Sequence, residues 1–400
     1  NVNPTLYTYN VTGSTVEYIS PATGWVMTPF TYYNLKFSGT GDFSFGYNTA
    51  NANKTFNVLN DFTQTAGTVF LGENASATAT LNIDGNMTLS GGTFDMNNIA
   101  GGKGIVNLKG DLTVAAGATL YATSTTVANT NFNFTGTYDA MQPATIQTIN
   151  VASTGTTRNR YVGFNIKTGA YAQLSGNNLE LGNGGIVSVE AGSTLDFGFN
   201  GSTALVLKNV SGATSTGFTM TGNAKIIITH PNGIDRWLSA TDRATDGNVQ
   251  IDGTRTYSTT GIYHYKGKTP QQRLGDGILF GGISGKYVIV ELDALSTKLL
   301  LEGNTGTSTS AFSELTDIGL SNTGNGGLKI IQGTVVGTAT SDFMSTGKLE
   351  MTGGLYQIAY PYGSSDVVPR LSGSYTLTGG TIELNGSTAQ TLRGGNSPNT

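Results

Sequence analysis

Gly67, Gly92 and Gly117 stand 25 residues apart, and Asp61, Asn86 and Asp111 keep the same interval. Around them one template recurs: a small polar residue, apolar-Thr-apolar, a Gly-rich turn, then Thr-apolar-x-apolar. It reads Asp61-Phe-Thr-Gln-Thr-Ala-Gly67-Thr-Val-Phe-Leu71, then Asn86-Met-Thr-Leu-Ser-Gly-Gly92-Thr-Phe-Asp-Met96, then Asp111-Leu-Thr-Val-Ala-Ala-Gly117-Ala-Thr-Leu120. Gly192 follows Gly117 by three such intervals, and further copies are Lys348-Leu-Glu-Met-Thr-Gly-Gly354 and Tyr375-Thr-Leu-Thr-Gly-Gly380. Within each copy the apolar residues alternate with Thr, Ser or Asn, the period of a strand with one buried face. Thr suits such a strand because its branched carbon fits the pleat and its hydroxyl tolerates water. Gly at the turns permits positive φ without a steric penalty. No stretch shows the 3.6-residue spacing of a helix.

A repeat this short cannot bury its own apolar face, so successive units must stack. The expected fold is all-β: a right-handed parallel β-helix, or β-solenoid, of about 25 residues per coil over 1–400. About 16 coils at the strand spacing of ~4.8 Å would extend on the order of 75–80 Å. A string of immunoglobulin-like sandwiches would need a period near ~100 residues. The phrase Tyr9–Tyr18 matches Tyr375–Leu384 in phase, with Gly13 over Gly379 and Glu17 over Glu383. That match predicts a segment of a longer array, with further coils or a capping protein at both ends. Two departures from regularity are expected: a more charged section with loop excursions at 231–302, and a projecting loop at 353–371.

The surface is polar but nearly uncharged. Gly supplies 57 of 400 residues and charged residues only 12%, while 37% are apolar, enough for a core. A net charge of −4 gives nucleic-acid binding no electrostatic support. With no cysteine, disulfides and thiolate metal sites are excluded. No apolar run approaches the ~18–20 residues that span a bilayer.

Chemistry is sought first where charge concentrates: 231–302 holds 16 of the 46 Asp, Glu, Lys and Arg residues. Calcium could be held by Asp242, Asp246 and Asp252, although their spacing of four and six lacks the tight alternation of a calcium loop. Polysaccharide lyase or hydrolase chemistry could draw on Asp235, Arg236, Asp242, Arg243 and Arg255. The plainer reading makes Asp235 with Arg236, and Asp242 with Arg243, exposed ion pairs. His230 and His264, 34 apart, have no metal-ligand spacing. His230-Pro231-Asn-Gly233 reads as a turn, and His264 as one residue of a strand between Tyr263 and Tyr265. Tyrosines cluster at Tyr7, Tyr9 and Tyr18, at Tyr32 and Tyr33, at Tyr257, Tyr263 and Tyr265, and at Tyr356, Tyr360 and Tyr362. They are read as core filling or cross-strand ladders before sugar-stacking platforms. No catalytic, cofactor-binding or metal residue is assigned.

Certain phrases resemble the repeat regions of very large cell-surface proteins that Bacteroidota export by type IX secretion. They are Tyr32-Tyr-Asn-Leu-Lys-Phe-Ser-Gly-Thr-Gly41, Gly85-Asn-Met-Thr-Leu-Ser-Gly-Gly-Thr-Phe94, Ile228-Thr-His-Pro-Asn-Gly-Ile234, Gly261-Ile-Tyr-His-Tyr-Lys-Gly267, Gln272-Arg-Leu-Gly275 and Ala389-Gln-Thr-Leu-Arg-Gly-Gly395. The resemblance implies a parallel β-helical stalk of an adhesin or gliding-type filament, at the cell surface and associated with the outer membrane. It supplies no catalytic residues, and the C-terminal sorting domain of such proteins is not in the sequence. The expected function is a non-enzymatic structural or adhesive stalk segment. Its partners would be other coils, the secretion apparatus during export and surface polysaccharide. The alternatives are a carbohydrate-active or carbohydrate-binding β-helix with a site in 231–302, and a passive cargo of the secretion apparatus.

Overall fold

The computed structural model describes residues 12–27, 29–45, 53–126, 129–142, 145–235, 246–275, 286–301, 318–320, 326–337, 343–345, 348–359, 375–387 and 390. The described residues are strands, turns and irregular segments, almost without helix, and the strands form large parallel sheets of the kind a β-solenoid builds. None of their helices is long and apolar enough to cross a membrane. The chain divides into two compact units, one made chiefly of 1–193 and the other chiefly of 219–251 and 255–400.

In the first unit the chain visits three parallel sheets in rotation. Phe62–Gln64 lies in the first, Thr68–Gly72 in the second and Thr78–Ile83 in the third; Met87–Leu89, Gly92–Asn97 and Lys103–Leu108 then repeat the circuit. Register follows the sequence template. Met87 pairs with Phe62 on one side and Leu112 on the other, each 25 residues away. Lys54 pairs with Ala79, and Thr78 with Lys103, at the same interval. The interval lengthens where a loop leaves the circuit, as from Leu112 to Ile149. Pairing in register places like on like. Phe56, Leu81, Val106, Phe132, Phe164 and Val187 form one buried column, and Leu35, Phe62, Met87, Leu112 and Ile149 another. Each buried Phe or Leu contributes about 1.5–3 kcal/mol of transfer free energy.

The polar positions of the template serve the stacking directly. Asp61 Oδ1 accepts the backbone N–H of Asn86, Asn86 Oδ1 that of Asp111, and Asp111 Oδ1 that of Thr148, at 2.9, 2.9 and 2.6 Å. A second series runs along the outward face of the third sheet. Asn82 donates to Asn57, Asn107 to Asn82, Asn133 to Asn107 and Asn165 to Asn133, at 2.8 to 3.0 Å. The glycines mark where one circuit touches the next. A Cβ on Gly92, whose φ is +77°, would fall 2.3 Å from Gly67 O, and one on Gly110 would fall 2.3 Å from Gly85 O.

The second sheet of this unit runs from Trp25–Val26 to Ala118–Tyr121. Over its last strand lies a loop, 152–162. Asn159 N donates to Leu120 O at 2.7 Å, and Ala122 N to Arg160 O at 2.9 Å. Asn159 and Tyr161 both take left-handed backbone conformations, with φ of 53° and 54°. That geometry is incompatible with a continuing strand.

The second unit is also parallel. Lys225–Ile228, Ile262–Tyr265, Tyr287–Glu291, Gly327–Gln332, Lys348–Ile358 and Tyr375–Leu384 pair in succession. Their buried columns are Ile226, Tyr263, Val288, Leu328 and Leu349, and Ile228, Tyr265, Val290, Ile330 and Met351. A two-residue hairpin, Phe199–Asn200 with Thr203–Ala204, is antiparallel. The loop expected at 353–371 is corrected for its first residues. Residues 353–358 continue the strand Lys348–Ile358, paired on both sides, and Tyr356 is fully buried beside Val335 and Ile382 in register. Gly354, with φ +74°, lets the strand bend over Gly333 O and continue. Tyr360, Tyr362 and the remainder of that loop lie outside the described residues.

Candidate functional site

Within 231–302 the charged residues Asp235 and Lys286 are buried. The segment Gly233–Asp235 lies between two others: Asn248 N donates to Gly233 O, Val249 N to Ile234 O and Ile234 N to Leu274 O. Glycines make this approach possible. A Cβ on Gly247 would sit 2.5 Å from Asp235 Cα, and one on Gly275 2.6 Å from Ile234 N. Asp235 is thereby fully buried. The Tyr257 hydroxyl donates to its Oδ2 at 2.7 Å, and Arg255 Nε lies 3.5 Å from the same oxygen. Arg255 is held by a second bond, from Nη1 to Ile251 O at 2.6 Å. Lys286 is buried as well, its Nζ 5.9 Å from the Tyr263 ring centre. Burial lowers the Lys286 ammonium to a pKa of about 8, against the opposing pull of the Asp235 carboxylate. Burial raises the Tyr257 phenol well above its ordinary range, and Asp235 adds to the effect. A buried amine of lowered pKa within electrostatic reach of a buried carboxylate marks this region as the place to look for a functional site.

Two histidine clusters lie in the same unit. The turn after strand Lys225–Ile228 closes by Gly233 N donating to His230 O, as the turn reading of His230–Gly233 expects. His230 Nε2 is 3.4 Å from Asp246 Oδ1, and Asn232 Nδ2 donates to Asp246 Oδ2 at 2.5 Å. Burial lowers the His230 pKa, and Asp246 opposes it. His264 occupies its strand between Tyr263 and Tyr265, both of which fill the core. Its Nε2 is 3.0 Å from Glu291 Oε2 but off the line of a hydrogen bond. Lys266 Nζ lies 3.1 Å from the same oxygen. Burial, then the Lys225 and Lys266 ammoniums, bring the His264 pKa down to about 3.

The residues singled out in the sequence fare differently. Asp235 and Arg255 come together; Arg236, Asp242 and Arg243 lie outside the described residues. The exposed ion pair expected at Asp235 is corrected, because the carboxylate is buried and answered from residues 20 and 22 positions on. Of the calcium candidates, Asp246 is engaged by His230 and Asn232, and Asp242 is outside the described residues. Among the described residues no group of three His, Cys, Asp or Glu is placed to hold a metal. Lys286 escapes sequence reasoning, and Tyr257 enters it only as one of a tyrosine cluster, since stacking of distant segments leaves no local pattern. No protein-family model matches the chain, and comparisons with curated proteins and with solved structures find no similar protein.

Proposed function

We propose that the chain is a non-enzymatic stalk segment of a large secreted surface protein, built as a right-handed β-helix of about 25 residues per coil. One observation carries the reading: the sequence template is spent on stacking. Its Asp and Asn side chains cap the next circuit, its glycines admit close backbone contact and its apolar positions fill columns. The outward rows of the first unit are largely Thr and Asn, as at Thr63, Thr88 and Thr113 and at Asn57, Asn82, Asn107 and Asn133, which suits a surface with few nonspecific electrostatic attractions. The resemblance of its phrases to type IX-secreted repeat regions supports a location at the cell surface.

The chain has no cysteine, which makes the coil size directly testable. Thr88 and Thr113 pair in register at adjacent strands. A Thr88→Cys, Thr113→Cys variant should close a disulfide on mild oxidation, because ~4.8 Å between strands falls within disulfide reach. A Thr88→Cys, Val114→Cys variant, displaced by one residue onto the buried face, should not. Equal cross-linking of both would defeat the stacked-coil reading. The stalk assignment is tested by antibody labelling of intact cells; a protein retained inside the cell would end it.

Buried Asp235, met by Tyr257 and Arg255 and felt electrostatically by buried Lys286, favours a second reading, a carbohydrate-active β-helix. Incubation with acidic and neutral polysaccharides, followed by a reducing-end assay, separates the two. Turnover abolished by Asp235→Asn would establish the enzyme reading and displace the stalk.

A further inference from the structure

The loop 152–162 of the first unit holds an arginine whose surroundings differ from those of the chain's paired charges. Arg158, two residues before it, is engaged: its guanidinium meets the Glu180 carboxylate and donates to Gly155 O. Lys208 Nζ answers the same Glu180 at 3.0 Å. Arg160 has no ion pair and no side-chain hydrogen bond among the described residues, and its Nε is buried without a partner. Its Cζ lies 5.3 Å from the Tyr121 ring centre and 5.7 Å from that of Tyr161. The carboxylate whose titration feels Arg160 is Asp95, but Asp95 is already occupied: it accepts from Asn97 N, Thr123 N and Thr123 Oγ1.

The backbone is arranged to keep this side chain in place. Asn159 and Tyr161, on either side, are non-glycine residues held in the left-handed region, a conformation that L side chains rarely adopt. Asn159 is fully buried; its Nδ2 donates to Glu180 O at 2.7 Å while its Oδ1 lacks a partner. Left-handed backbone, an orphaned amide oxygen and a guanidinium with no directly paired carboxylate thus gather on three residues, Asn159, Arg160 and Tyr161. Burying part of a guanidinium without a directly bonded anion is costly, and two aromatic rings recover only part of the cost. An incoming carboxylate would recover the rest through the fork geometry peculiar to arginine.

We infer that Tyr121, Arg160 and Tyr161 form a binding site for an acidic polysaccharide, with a sugar carboxylate received by Arg160. The ring faces and edges of the two half-buried tyrosines offer apolar surface to a pyranose ring. Arg158 and Lys208 outnumber the Glu180 they share, which leaves the neighbourhood of the loop receptive to an anion. The site lies outside the charged stretch 231–302, and the inference does not rest on the stalk reading.

The experiment measures binding of the whole chain to polygalacturonate, a uronate polymer, beside neutral dextran and poly-glutamate, by affinity electrophoresis and calorimetry. Polygalacturonate should be retained at least about tenfold more strongly than dextran or poly-glutamate, with affinity falling as salt rises. Arg160→Ala should reduce that affinity at least about tenfold, and Arg160→Lys, which keeps the charge but loses the fork, by a smaller but measurable factor. Lys109→Ala, on an exposed lysine paired with Asp84 elsewhere on the unit, should change nothing. Circular dichroism of each variant establishes that it is folded; should Arg160→Ala fail to fold, Arg160→Lys decides. Failure to bind the uronate polymer, undiminished binding by a folded Arg160 variant, or equal retention of poly-glutamate would each overturn the proposal.

Discussion

The close approach of successive circuits at glycine can be separated from glycine's backbone freedom by three substitutions. Gly169, with φ +84°, has nothing within 4 Å of where a Cβ would stand. Gly169→Ala therefore measures the left-handed conformation alone, about 1–2 kcal/mol, reduced by ~0.4–1 kcal/mol because alanine also restricts the unfolded chain. Gly110 is the converse: no left-handed φ, but a Cβ 2.3 Å from Gly85 O and 2.5 Å from Gly85 C. These are backbone atoms of the preceding circuit, so the strain must be met by displacing strands, at roughly 1–3 kcal/mol. Gly92 combines both, with φ +77° and a Cβ 2.3 Å from Gly67 O. Gly92→Ala should thus cost about 2–4 kcal/mol, the most of the three. Urea titration followed by circular dichroism, with the slopes compared as well as the midpoints, measures each. If Gly110→Ala and Gly92→Ala are no worse than Gly169→Ala, the circuits are not in the contact described, and the stacked architecture is refuted.

Three other outcomes are expected. Asp235→Ala leaves Arg255 and Lys286 buried without their carboxylate and should lower stability by about 3–5 kcal/mol, read by the same titration. Asn107→Ala removes the bonds to Asn82 and from Asn133; because both orphaned groups are half-exposed, the loss should be only about 1 kcal/mol. His264 has a folded pKa of about 3 against an unfolded value near ~6.5, so the unfolded chain takes up the proton first. Its contribution to stability is full above pH ~6.5 and declines as pH falls toward 3, with a limiting slope of about 1.4 kcal/mol per pH unit. His264→Gln should flatten the stability profile between pH ~6.5 and 5, above the usual carboxylate range; an unchanged slope would show that the imidazole is not buried neutral.

How much of this was legible in the sequence depends on whether a feature repeats. Asp61, Asn86 and Asp111 announced themselves by their interval, and each caps the following circuit. The Asn57 to Asn165 series obeys the same geometry, yet in a chain rich in Asn and Thr it was lost among similar residues. Tyr356 falls within the loop expected at 353–371, where the phrase departs from the repeat template. Gly354 instead turns the strand while Tyr356 stays in its column. Asp235 meets Tyr257 and Arg255 only because intervening segments stack, and no local spacing encodes that. Arg160 could have been suspected: Arg158 and Arg160 are two cations within three residues of a sparsely charged chain.

Each interior amide of the Asn57 to Asn165 series, Asn82, Asn107 and Asn133, gives one proton to its predecessor and takes one from its successor. Such a relay has no privileged member and no set length. Genetic duplication or loss of one whole period would splice it without stranding a donor, whereas a cut within a period would break relay, columns and glycine contacts together. Evolution of this molecule should therefore proceed in whole rungs, with novelty confined to excursions such as 152–162 that leave the rungs on either side intact.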